Sequence, residues 1–68
     1  MKFIVLEIQN SGDNISTLIT TYDNQLAAES SYHTILAAAA LSELPKHSCI
    51  LMTEDGNTIK KETYYAGI

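Results

Sequence analysis

Apolar and polar positions along the chain fall into four short alternating or β-branched runs and one long alanine-rich run. Residues 2–9 hold Phe3, Ile4, Val5, Leu6 and Ile8 and read as a strand. Asn10-Ser11-Gly12-Asp13-Asn14 is a cluster of turn formers. Residues 15–22, rich in isoleucine and threonine, read as a second strand, joined to the first by a hairpin loop of roughly five residues. Asp23 is placed to cap a helix over residues 24–43, a segment with six alanines. Leu44-Pro45 ends it, because proline disfavours helical geometry at the residue before it. His47 to Thr53 and Thr58 to Tyr65 read as strands three and four, with Asp55-Gly56 suited to a type I′ turn between them. Ala66-Gly67-Ile68 reads as a loose tail. The expected architecture is one α+β domain over residues 1–68: ββαββ, a four-stranded antiparallel sheet with one helix packed on one face.

The faces of these elements carry the next inference. Side chains alternate across a strand, so Ile4, Leu6 and Ile8 share one side, and Leu18 and Tyr22 join them under a common hairpin register. That side is expected beneath the helix, against a stripe of Ala28, Tyr32, Ile35, Leu36 and Ala39 at helical spacing. The other side of the sheet then carries Phe3, Val5, Ile15 and Ile19, too apolar for a solvated back. The far side of the helix, with Ala27, Ser30, Ser31, Thr34, Ala38 and Leu41, carries no charge. Together these faces point to a homo-oligomer whose interface draws on Phe3, Val5, Ile15, Ile19, Ala27, Ser31, Thr34 and Ala38.

Size and composition support self-association. A chain of 68 residues buries only about 60% of its unfolded surface, and small domains compensate with disulfides, a metal or a partner subunit. Cys49 is the single cysteine, so no intrachain disulfide is possible, and an intracellular, cytoplasmic setting is expected. The histidines, cysteine and carboxylates lack metal-ligand spacing, so no metal and no cofactor is expected. The net charge is −4 and arginine is absent, which argues against binding nucleic acid. The opening apolar run is short and broken by Glu7, unlike a signal peptide, and no segment is long enough to span a bilayer. No membrane partner is expected.

Candidate chemistry is sparse. His33 lies at the edge of the helical stripe, as a ligand contact or an ordinary boundary residue. His47 and Cys49, two apart, share a strand face and imitate a nucleophile with its base, but lack an orienting third group. Glu54, Asp55, Asn57 and Thr58 gather oxygens without the ligand set of a calcium loop, and read as a turn. Lys46, Lys60 and Lys61 are expected to approach one another as a positive spot, or to protect an edge strand. Tyr64 and Tyr65 suit stacking on a flat ligand or sheet packing. The candidate ligand- or partner-binding set is therefore Tyr32, His33, Lys60, Tyr64 and Tyr65. No catalytic residue is assigned and no enzyme is expected, since no phosphate loop, nucleophile elbow or zinc motif is present.

The stretches Met1-Lys2-Phe3-Ile4-Val5-Leu6-Glu7-Ile8-Gln9, Ala28-Glu29-Ser30 with Tyr32-His33, Leu36-Ala37-Ala38-Ala39-Ala40, and Leu51-Met52-Thr53-Glu54-Asp55-Gly56 resemble, in that order, a family of short uncharacterised proteins encoded in phages and mobile elements of Firmicutes. The resemblance spans nearly the whole chain and implies a setting, with no active or binding residues to carry over. The expectation that follows is a non-enzymatic, homo-oligomeric protein that binds a host protein or a small signalling ligand, in host interference of the anti-defence type. The alternative is an accessory structural or assembly protein of a phage particle.

Overall fold

A computed structural model describes residues 1–66. The elements are β1 (Phe3–Asn10), β2 (Ile15–Tyr22), α1 (Gln25–Ala40), β3 (Lys46–Thr53) and β4 (Thr58–Tyr65). They form one antiparallel sheet in the order β2-β1-β3-β4, with α1 packed on one face, so the chain is an α+β fold of ββαββ type. Each hairpin is local, and the two join through the central β1–β3 pair. Of the tail, Ala66 donates its N–H to the Pro45 carbonyl at 3.3 Å, and Gly67 and Ile68 lie outside the described residues.

The helix covers the expected side of β2, with Leu18 and Tyr22, but the unexpected side of β1. Val5, only 1% exposed, forms the core with Ala28, Tyr32, Cys49 and Leu51, and Phe3, Tyr22, Ile35 and Leu36 pack around it. Ile4, Leu6 and Ile8 therefore lie on the open back. Phe3 and Val5, taken above as interface residues, belong instead to the chain's own core. The reason is the first turn. Asn10 pairs with Ile15, leaving a four-residue loop, and every β1–β2 pair joins an odd position to an even one: Phe3 with Tyr22, Glu7 with Leu18, Leu6 with Ile19. Paired residues share a face, so Leu18 and Tyr22 travel with Phe3 and Val5, and Ile15 and Ile19 with Leu6 and Ile8. A one-residue change of register moves every side chain to the other face.

The turns explain both hairpins. In the first, Gly12 adopts φ +97° and its N–H donates to the Asn10 side-chain oxygen at 2.8 Å, while the Ser11 N–H donates to the Asn14 carbonyl. In the second, Asp55 does not take positive φ, which a type I′ turn would require. Positive φ falls on Gly56 (+88°), and a three-residue loop is closed by Thr53 N–H to Asn57 carbonyl and Gly56 N–H to Thr53 carbonyl, each at 2.9 Å. This arrangement needs one left-handed residue rather than two, and glycine adopts that conformation without a steric penalty.

Asn24, not Asp23, caps α1: its side chain accepts from the Ala27 N–H at 2.8 Å, while Asp23 pairs with the Lys2 ammonium. The helix stops three residues earlier than expected. Leu41 and Ser42 donate to the carbonyls of Ala38 and Ala39 three residues back, tightening the last turn, and residues 41–45 carry the chain across to β3. The predicted stripe lies against the sheet, with Ala28, Tyr32 and Ala39 buried and Ile35 and Leu36 half-buried. Of the far-side residues, Thr34 and Ala38 are exposed, whereas Ala27 and Ser31 are half-buried on the flank.

Candidate functional site

The helix packs chiefly over the central strands β3 and β1, with Glu29 holding the Lys60 ammonium of β4 at 2.8 Å, and leaves Gln9, Ser16 and Leu18 exposed toward the first turn. Polar side chains of the helix-side face gather there. Strand alternation sets Glu7 between Val5 and Gln9, with Cys49 across from it on β3 and Leu18 on β2. A carboxylate drawn partly out of water needs compensating hydrogen bonds. It has them: Glu7 Oε2 meets His47 Nε2 at 2.6 Å and accepts from Gln9 Nε2 at 3.1 Å. Burial pushes the Glu7 carboxyl upward, but the hydrogen bonds from Gln9 and His47, with the attraction of His47, outweigh it and hold the pKa below the usual value of 4.5.

His47 is 5% exposed, and among the described residues its Nδ1 is the buried side-chain polar atom without a hydrogen-bond partner. Nε2 faces the Glu7 carboxylate, so the ring's one strong polar contact is on that side and Nδ1 is left unpaired. Its neighbour Cys49 is fully buried. Burial first, then the Glu7 carboxylate, pushes its thiol up to about 11, against a weaker opposing hydrogen bond from the Ile50 backbone. The thiol is protonated at neutral pH and packs as a small apolar group, the opposite of an activated nucleophile.

Outside this pair, Glu7, Gln9, Ser16, Thr17 and Leu18 line a groove of about 240 Å³. The groove offers a carboxylate, an amide and a hydroxyl beside an apolar wall. That combination orients a small polar group by hydrogen bonds and covers an apolar part, as binding grooves do.

The five residues expected to bind a ligand do not converge. Tyr32 is a core residue whose hydroxyl is pushed up by burial and by nearby Cys49, Glu62 and Tyr64. His33 is exposed on α1, edge-on to Tyr32 with ring centroids 5.4 Å apart. Lys60 is held by Glu29, Tyr64 lies across from His47 on the helix side, and Tyr65 is on the open back beside Lys46. The lysines do not gather either: Lys46 pairs with Tyr65 at one end of β3, Lys61 with Ile50 further along, and Lys60 is on the opposite face. Glu54 accepts from the Lys2 N–H at 2.6 Å, tying the second turn to the start of β1. Among the described residues no three His, Cys, Asp or Glu side chains are grouped to hold a metal ion. No described helix is long and apolar enough to cross a membrane.

Sequence reasoning passed over Glu7, Gln9, Ser16 and Leu18. A signal was present: Glu7 is the one charge within the apolar run of β1, and a charge there needs a partner. No protein-family model matches the chain, and no curated protein and no solved structure matches it.

Proposed function

We propose that the chain is a non-enzymatic, homo-oligomeric binding protein that acts on a host protein or a small signalling ligand from a phage or mobile element. The observation that carries this reading is the uncovered back of the sheet. Ile4, Leu6, Ile8, Ile50 and Met52 are half-buried there, and Ile15 and Ile19 are 68% and 63% exposed. Contiguous apolar surface of this kind marks an interaction site. Covering it returns roughly 25 cal/mol per Å², a large gain for a domain with so thin a core. The Glu7–Gln9 groove gives a small ligand somewhere to sit, and the phage setting comes from the resemblance described above.

Native mass spectrometry of protein purified from its own host tests this reading. An oligomer with retained extra mass is the expected result for a ligand-holding protein, and an oligomer with a stoichiometric host protein is the expected result for a protein target. A clean monomer overturns the reading. A second reading, an accessory part of a phage particle, draws on the same open back together with the unprotected edge of β2, since two uncovered surfaces suit built assemblies. Stoichiometric recovery of the chain in purified virions would favour it.

A further inference from the structure

The two edges of the sheet are unlike. β4 carries Lys60, Lys61 and Glu62 and a register irregularity opposite Leu51/Met52, all features that discourage another strand from pairing. β2 has none of these. Its sequence, Ile15-Ser16-Thr17-Leu18-Ile19-Thr20-Thr21-Tyr22, is the one strand of the four without a charged residue, holds no proline, and pairs along its whole length with β1 without a break. Seven of its eight residues are exposed. An unbroken, uncharged, β-branched edge presents a row of unpaired main-chain groups.

We infer that β2 pairs antiparallel with β2 of a second copy about a two-fold axis perpendicular to the sheet. This rests on the homo-oligomeric reading above and names its surface. A second copy fits as the occupant because antiparallel self-pairing sets β2 against an identical uncharged strand. Of the two edges, β2 is the one along which two chains of net charge −4 meet without opposing charged side chains. Symmetry then restricts the register. The axis keeps both helices on one side, so each residue pairs with one of equal parity, and the centre falls on Leu18 or Ile19. Pairing over seven residues forms about six to eight main-chain hydrogen bonds, somewhat fewer than the ten or so direct bonds of a typical interface. Leu18, 62% exposed, and Ile19 gain cross-strand neighbours on opposite faces. The two grooves lined by Glu7, Gln9, Ser16 and Leu18 come to lie side by side over one eight-stranded floor.

Sedimentation of the full chain, combined with cysteine cross-linking, tests this. Wild type is expected to sediment as a dimer or a multiple of it. Thr17→Lys with Thr20→Lys puts one charge on each face of β2, at exposed positions the fold does not need, and is expected to abolish that pairing with an unchanged circular dichroism spectrum. Leu18→Cys, on the helix side of the edge, or Ile19→Cys, on its back, is expected to oxidise to a covalent dimer, whereas Leu6→Cys, beside Ile19 but one strand in from the edge, is not. Native Cys49 stays silent because it is buried. An oligomer that persists in the double lysine variant, or that cross-links only through Leu6→Cys, overturns edge pairing and leaves self-association standing. A monomer at every concentration overturns both.

Discussion

At the scale of single residues the molecule depends on a few side chains in a thin core and on one polar pair beside it. Leu51 is fully buried, so Leu51→Ala should cost about 2–5 kcal/mol. A 68-residue domain has roughly 3–10 kcal/mol in total, so the variant is expected to be largely unfolded by urea titration where wild type is folded. Gly56 at φ +88° has open space around a would-be Cβ, so Gly56→Ala should cost only the conformational penalty, about 1–2 kcal/mol, with Gly56→Asn milder. Glu7 provides the pH dependence. Its folded pKa is depressed, so the ionised form adds stability that is fully present above the ordinary value of 4.5 and is lost as pH falls through the lower folded value. Glu7→Gln should flatten this acid limb, seen as a smaller difference in urea midpoint between neutral and acid buffer. Glu7 was legible in the sequence as a lone charge in an apolar strand. Its partner was not, because His47 lies forty residues away and meets it only through the β1–β3 register.

At the scale of elements, all four strands and the helix were legible, since β-branched runs, turn clusters and an alanine-rich segment each follow from local preference. Which side of β1 faces the helix was not. Periodicity shows that Phe3 and Val5 share a side and that Ile4 and Leu6 share the other, but both sides are apolar. The choice is made by the length of the Ser11–Asn14 loop and by contacts across the sheet, where Val5 meets Leu51. The cap was off by one for a related reason: Asp23 and Asn24 are both good N-cap types, and Lys2 draws Asp23 away. Asn24→Ala should therefore cost about 1 kcal/mol in thermal or urea unfolding, while Asp23→Ala should leave the helix intact.

At the scale of the whole molecule, the helix shields one side of the sheet and nothing among the described residues shields the other. The expected apolar back had β1 the wrong way up and β2 the right way up, and it survives the correction because β1 is apolar on both sides. If association covers that surface, only the folded state benefits, and stability becomes a function of protein concentration. The melting temperature should rise as the protein is concentrated; a flat dependence would count against self-association. The candidate site was the least legible part, because Glu7, Gln9, Ser16 and Leu18 come from two strands whose register had to be known first.

The strand order also bears on how the chain reaches its structure. Each hairpin closes over a loop of three or four residues, a step that takes microseconds in isolated hairpins. The pairing of β1 with β3, from Asn10 with Lys46 to Phe3 with Thr53, must instead wait until α1 has brought the two halves together. That late, non-local step creates the only place where Val5, Cys49 and Leu51 can meet Tyr32. Changes at the tips of the hairpins, which close before docking, should therefore slow refolding with little effect on unfolding, whereas conservative truncations at Val5, Cys49 and Leu51 should divide their effect between the two rates. The rate at which this small domain folds is thus set by the docking of two preformed halves, with the helix as the tether that holds them within reach.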